Sequence, residues 1–419
     1  MTENSFATPI HARTAPQTAA TARYERKKQA IIAAASGILN RDGVKGMTLA
    51  NVASRVGLIT TSVTYYFKKK EDLAVACLLD GIERLDKIVG EALRADDART
   101  RVLRLLDLWL DLRRHIAAGE AAPIAVFNDI RALQNPQRAM MLDTYMRFFA
   151  RVRDVFAAPD TEWMSETQRT ARTHVLTEQI YWAVAWLPRY DLEDYPRIRD
   201  RMYDIFLRGL AGPGQVWAPA PLADAALISA RELTARETFL IAATRLVNEK
   251  GYRGASVERI SARLNVTKGS FYHHNDAKDD LVLECFKRSF DTMRRMQRAM
   301  AERSENHWTK LATIATALVD YQLSERGPLL RTSALTALPP SICSEMVEAS
   351  NRVSDRFAAI ISDGIAAGSV RAVDPFIASQ MLTATLNASA EIPYWTPGIE
   401  RSSAGELYAR PLLMGLFSS

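Results

Sequence analysis

A chain that repeats one helical pattern without a gap folds as two copies of one unit, and this one repeats at a constant offset of 208 residues. The first copy spans residues 30–73 and the second 238–281. Ala34, Ala35, Asn40, Gly43, Gly46 and Arg55 fall on Ala242, Ala243, Asn248, Gly251, Gly254 and Arg263; Ser62, Lys70, Asp72 and Leu73 fall on Ser270, Lys278, Asp280 and Leu281. Shared helix propensity could align a few alanines and leucines. Paired glycines and a paired K-x-D-L ending in one register require duplication.

At 419 residues, 48% of them hydrophobic, the chain can bury a sizeable core in each copy. No apolar run is long enough to cross a bilayer. The first 21 residues contain Pro9 and Pro16 among small and polar residues, without the apolar stretch of a signal peptide, and read as a disordered tail. Cys77, Cys285 and Cys343 are too few and too widely spaced for a disulfide framework or a C-x-x-C metal site, as expected of a reducing cytoplasm. The formal charge of +6 is modest, but in the first copy Arg26, Lys27, Lys28, Arg41, Lys45, Arg55, Lys68, Lys69 and Lys70 outnumber the local acids. Such a basic surface is what a phosphate-binding domain presents.

Apolar residues recur at helical spacing through Ile31, Ala34, Ala35, Ile38 and Leu39, then Leu49, Val52, Ala53 and Val56. Gly43 and Gly46 end the first helix and Thr48 caps the next. A short second helix, about residues 49–55, stops at Gly57, and a third follows over about residues 60–67. Ile59 occupies the capping position of that third helix, which shifts the expected cap to Thr60 or Thr61. Downstream the texture stays helical in both copies, and weaker correspondences persist: R-A-L-Q-N-P at Arg131 with T-A-L-P-P at Thr336, L-P-R-Y at Leu187 with I-P-Y-W at Ile392, and R-G-L at Arg208 with M-G-L at Met414. The expected division is a disordered tail (1–23), a first helix-turn-helix domain (24–75), a first helical regulatory domain (76–211), a Pro/Gly/Ala-rich linker (212–231), a second helix-turn-helix domain (232–283) and a second regulatory domain (284–419). Extended, the linker reaches roughly 60 Å, enough to seat the two units side by side.

A helix-turn-helix reads DNA by placing its second helix in the major groove, with short polar side chains toward base edges and flanking basic and hydroxyl groups on phosphates. In the second copy that helix is T-K-G-S-F-Y-H-H, Thr267 to His274; in the first it is I-T-T-S-V-T-Y-Y, Ile59 to Tyr66. Over this stretch the sequence resembles the TetR family of bacterial transcription regulators. The resemblance implies an all-α fold of two tandem units, each with three N-terminal DNA-binding helices and a larger helical domain for dimerisation and ligand binding. Carried residue by residue, the DNA-facing positions are Thr48, Thr60, Thr61, Ser62, Thr64, Tyr65 and Lys70 in the first copy. In the second they are Ser256, Thr267, Lys268, Gly269, Ser270, Tyr272, His273 and Lys278. Thr64 stands where the family has a tyrosine, Asn265 where it has the turn glycine and Asn275 where it has a buried phenylalanine. The two reading helices share only their serine, so they are expected to read different bases.

The leading expectation is a ligand-responsive repressor whose units pack as an intramolecular pseudo-dimer on double-stranded operator DNA with two dissimilar half-sites; further association of whole chains is left open. The aromatic side chains of the larger domains, among them Trp109, Phe149, Tyr181, Trp308 and Trp395, lean toward an apolar or aromatic effector. The alternative is a helical scaffold for a small molecule or protein in which one or both motifs no longer read DNA. No cofactor, metal-ligand spacing, phosphate loop of the G-x-x-x-x-G-K type or nucleophile elbow is found, so an enzyme is not expected.

Overall fold

The computed structural model describes residues 19–220, 233–255, 257–264, 278–303, 305–338 and 340–419. Among these residues it is helical, with one isolated bridge between Ala211 and Val370. The first half comprises α1 (Ala19–Gly46), α2 (Leu49–Arg55), α3 (Thr60–Tyr66), α4 (Lys70–Ala92), α5 (Ala98–Ala117), α6 (Gln137–Arg153), α7 (Glu166–Trp186) and α8 (Tyr195–Arg208). The second comprises α9 (Ala235–Gly254), α10 (Val257–Leu264), α11 (Lys278–Ala301), α12 (His307–Leu323), α13 (Pro340–Ala366), α14 (Pro375–Ser389), α15 (Ile392–Trp395) and α16 (Ala404–Met414). No helix is long and apolar enough to cross a membrane among the described residues.

Each half starts with a small helical head on a larger helical body. In the first head Ile31, Ala35, Ile38, Leu39, Val52 and Ala53 are buried, as the helical spacing predicts, while Ala34, Leu49 and Val56 are half-buried; Met47, Val63 and Leu73 complete the core. Gly43 breaks α1 at φ 63° and Gly251 breaks α9 at φ 72°, so the paired glycines do the same work. Helix α1 begins at Ala19, inside the segment expected to be tail. The Cys77 thiol reaches the Ile32 carbonyl at 3.6 Å, and Cys285 reaches that of Leu240 at the same distance. Both thiols are buried, and burial pushes Cys77 up to about 12 and Cys285 to about 11, which keeps them protonated.

A second repeated contact fastens head to body. The Asn40 side-chain amide donates to the Ile124 carbonyl at 2.8 Å while its oxygen accepts from the Val126 N–H at 2.8 Å. Asn248 repeats this on the Leu329 carbonyl (2.9 Å) and the Arg331 N–H (3.1 Å). The segment so clamped leads in each half into a short 3-10 helix, Phe127–Ala132 or Thr332–Ala337. Both turns reach across: Phe127–Ala132 packs mainly on α9 of the second half, and Thr332–Ala337 packs on α1 of the first as well as on its own α9.

The bodies meet through α7 and α8 of the first half against α14 and α16 of the second. Gln179 donates to the Met381 carbonyl at 2.9 Å and to Thr385 at 3.0 Å, and the Trp182 indole donates to Gln380 at 3.0 Å. At the ends of α8 and α16 the chains cross at two glycines. The Leu210 N–H donates to the Leu413 carbonyl and the Leu416 N–H to the Phe206 carbonyl, each at 2.7 Å. A Cβ on Gly209 would overlap the Leu413 carbonyl, and one on Gly415 would stand 2.8 Å from that of Leu207. The R-G-L and M-G-L correspondence is therefore a reciprocal crossing of the kind that relates the subunits of a two-fold dimer.

The expected linker is pinned where it is described. The Gly212 N–H donates to the Ser369 carbonyl at 3.1 Å, the Trp308 indole to the Val216 carbonyl at 2.9 Å, and the Ala220 N–H to the Thr313 hydroxyl at 2.9 Å. Its first part is thus a strap across the second body. Residues 221–232 lie outside the described residues.

Gly209→Ala is expected to lower stability by more than about 1 kcal/mol, since φ there is +64° and the crossing leaves no room. Gly214→Ala is the control: its φ is +74° but nothing lies within 4 Å of the added carbon. Guanidinium denaturation midpoints compare the two, and the Gly209 variant should fall further.

Candidate nucleic-acid interface

Helix α2 is capped by Thr48, whose hydroxyl accepts from the Asn51 N–H at 3.1 Å. It ends at Gly57, φ +67°, where the Leu58 N–H returns to the Ala53 carbonyl at 2.9 Å. That turn launches α3. The expected cap at Thr60 or Thr61 does not form: the N-cap residue is Ile59, with no side-chain cap bond, because both threonines already have helical positions. Ile59 itself is 71% exposed.

Val63 and Phe67 anchor α3 in the head core, which turns Thr60, Thr61 and Tyr65 outward. Ser62 is half-buried. Thr64 folds its hydroxyl back on the helix, donating toward the Thr61 carbonyl at 2.9 Å and that of Thr60 at 3.3 Å. Tyr65 is 67% exposed and packs edge-on against Tyr66 at 5.2 Å, while Tyr24 of α1 lies 4.8 Å from Tyr66. Lys70, at the start of α4, donates to the Lys45 carbonyl at 3.0 Å. One ammonium donor is thereby used to join α4 to the end of α1, and an ammonium has three.

In the second copy Ser256, Thr267, Lys268, Gly269, Ser270, Tyr272 and His273 lie outside the described residues, as do Asn265 and Asn275. Lys278 is described, with its ammonium 4.2 Å over the Tyr252 ring. The Tyr252 hydroxyl in turn donates to Asp279.

Beneath the heads, where the halves meet, lies a buried charge network that spacing along the chain does not reveal. Arg331 donates to Glu178 of α7 at 2.8 Å and to Glu391, and Arg131 donates to the same Glu391 and to the backbone carbonyl of Asn248. The Trp395 indole adds a bond to Glu391 at 3.2 Å. At Glu391 burial is outweighed by the two guanidiniums, which hold the carboxyl well below its usual range. Burial pushes Glu178 the other way, against the pull of Arg331. His174, Glu178 and Glu391 have ligand atoms within 4.8 Å of one another. Two guanidiniums already fill that carboxylate set, so its chemistry is an ion-pair joint, and a cation there would face two fixed positive charges.

Around the joint, Phe149 stacks on Trp395 at 3.9 Å, and Tyr145 and Tyr181 touch through their hydroxyls at 3.2 Å. Much of the aromatic content of the first body is thus core at the contact between halves.

A profile described as "Bacterial regulatory proteins, tetR family" matches residues 31–77 and again 239–285. The chain carries the TetR-family DNA-binding pattern twice. Both matched segments of the TetR pattern are the duplicated heads. The chain is 32% identical over 82 residues to the Transposon Tn10 TetC protein of Escherichia coli, a match that covers 20% of this chain and 41% of TetC. Among solved structures it is similar to the TetR-family regulator PfmR from Thermus thermophilus, at 22% identity and a TM-score of 0.36 over 42% of this chain and 98% of that one. It is also similar to FadR from Bacillus subtilis, solved with stearoyl-CoA, at 17% identity and a TM-score of 0.35 over 42% and 97%.

Burial pushes the His174 imidazole down from 6.5 to about 3, so it is neutral at pH 7 and its 3.8 Å approach to Glu391 is no ion pair there. Because the folded value lies below the ordinary one, the stability it supports is intact above pH 6.5 and is lost as pH falls from there toward 3. His174→Gln should flatten the decline below pH 6.5 by up to about 1.4 kcal/mol per pH unit. Denaturant titrations across that range measure it, and an unchanged slope would remove His174 from the account.

Proposed function

We propose that this chain is a ligand-responsive transcription repressor that sets two non-identical helix-turn-helix heads on one operator with dissimilar half-sites. The observation that carries the reading is the reciprocal packing of the halves: crossed glycines and, in each half, a 3-10 turn that reaches the first helix of the other. A homodimer reaches such an arrangement by symmetry. Here both partners belong to one polypeptide, so the reading segments are free to differ, and the sequences of residues 59–66 and 267–274 do.

In the first head, Thr60, Thr61, Ser62, Thr64 and Tyr65 face the groove, with Thr48 and Lys70 on phosphates. Their counterparts are Thr267, Lys268, Gly269, Ser270, Tyr272 and His273 with Ser256 and Lys278. Regulation follows from the clamps. Each head is tied through Asn40 or Asn248 to the segment before a 3-10 turn, and that turn packs on the other half's first helix. An effector that shifts the turns changes the spacing of the heads, and heads off the groove spacing of about 34 Å lose base contacts.

Selection of bound sequences from a random pool, followed by footprinting, tests this. The expected outcome is a site with two unlike halves about one helical turn apart, protected by a single chain. A perfect palindrome occupied by two chains through one motif each would overturn it, and only weak non-specific binding would return the scaffold reading. Lys70→Ala should weaken binding evenly across sequences and lower the slope of log affinity against log salt by about 1. Gel shifts over a salt series read that slope.

A further inference from the structure

A cleft of about 860 Å³ in the second half lies between the head helix α9 and the body helices α11, α12 and α13. Nine of its lining side chains are basic and three acidic, so it carries a net excess of six positive charges. Helix α11 supplies the densest part: Lys287, Arg288, Arg294, Arg295 and Arg298, with Arg352 and Arg356 of α13 opposite. Some of this charge is already matched. Arg294 pairs with Asp291, Arg236 donates to Glu284 at 2.8 Å, and Arg352 approaches Glu348 at 3.7 Å. Lys287, Arg298 and Arg356 form no salt bridge among the described residues. Arg288 holds Tyr321 at 2.9 Å through one terminal nitrogen, while the other, Nη1, is buried with no hydrogen-bond partner. A buried guanidinium donor left unpaired is costly unless a ligand supplies an acceptor.

The duplication provides an internal comparison. In the register that aligns Cys77 with Cys285, Lys287 corresponds to Leu79, Arg288 to Asp80, Arg294 to Asp86 and Arg298 to Gly90, and only Arg295 keeps a basic counterpart, Lys87. The same helix face in the first half therefore carries Asp80, Glu83 and Asp86 against the one Lys87, and Asp86 takes Arg151 at 2.7 Å. A basic face needed only for solubility or for non-specific attraction to DNA has no reason to be confined to one copy. Its position also separates it from the DNA-facing end: Arg294 and Arg298 lie 16 and 20 residues along α11 from Lys278, or roughly 24–30 Å.

We propose that this cleft is a single effector site for a small molecule carrying two or more phosphate groups, present once per chain and only in the second half. Leu233, Leu240 and Tyr321 offer the ligand an apolar wall beside the cationic one. The chemistry differs from the apolar or aromatic effector that the aromatic content suggests. Because Leu233, Arg236 and Leu240 belong to the head side and Arg298 and Arg356 to the body side, a bound polyanion draws the two together and resets the second head alone. This effector role rests on the repressor reading; the binding site does not.

The test is calorimetric titration of the full chain with pyrophosphate and with ATP at physiological salt, for the natural sequence and for the double variant Arg298→Glu, Arg356→Glu. The expected result is one site per chain, an affinity loss of roughly tenfold or more in the variant, unchanged thermal melting, and operator affinity that responds to ligand only in the natural sequence. Absence of saturable binding, equal binding by the variant, or two equivalent sites per chain would overturn the proposal. If the unliganded chain still selects an operator with unlike halves, the repressor reading survives that failure. A variant that loses DNA affinity without any anion binding would instead give the cleft to the DNA backbone and equally overturn the proposal. Binding that leaves operator affinity unchanged would overturn the effector role.

Discussion

The crossing at Gly209 and Gly415 is the constraint on which the rest of the molecule depends. Backbone meets backbone there, the Leu210 and Leu416 amides find carbonyls on the opposite half, and no side chain fits between. With that crossing made, α7 and α8 are held against α14 and α16, and the polar side chains along α7 find partners on the other half. The helices could pack in other registers if only apolar area were at stake. Two paired glycines and a set of directional hydrogen bonds select one.

The buried ion network takes its meaning from that arrangement. Arg131 and Glu178 come from the first half, Arg331 and Glu391 from the second, so separating the halves would strand charges that have lost their water. A broken buried pair of this kind typically costs about 3–5 kcal/mol. Arg131 also reaches the backbone of Asn248, the residue whose side chain clamps the second head to its own body. The interface between halves and the attachment of a head to its body therefore share residues, and a change in one is felt by the other.

Much of this was legible in the chain because it is local or repeated. Gly43, Gly57 and Thr48 shape the first head through bonds that span a few residues, and the periodicity of Ile31 through Leu39 marks the buried stripe. The weak R-G-L and M-G-L match held more than it showed, since repetition flags a residue without saying what it touches. Ile59 displaced the expected cap because a capping position is set by backbone geometry, which a neighbouring threonine cannot take over from inside the helix. The linker composition likewise said nothing of the Trp308 and Thr313 bonds that pin its first part. The charged network was hidden for a simpler reason. Arginine and glutamate read as surface residues by type, and partners up to 260 positions apart leave no spacing to detect.

The strap formed by residues 212–220 has a consequence for behaviour at low abundance. Subunits of an ordinary dimer part on dilution, so the amount of assembled species falls with the square of concentration, whereas two halves joined by a pinned tether meet at a fixed effective concentration. The contact between the two halves of this chain therefore does not depend on how many chains are present. A damaged half stays beside the intact half to which it is joined, and exchange with another chain does not replace it.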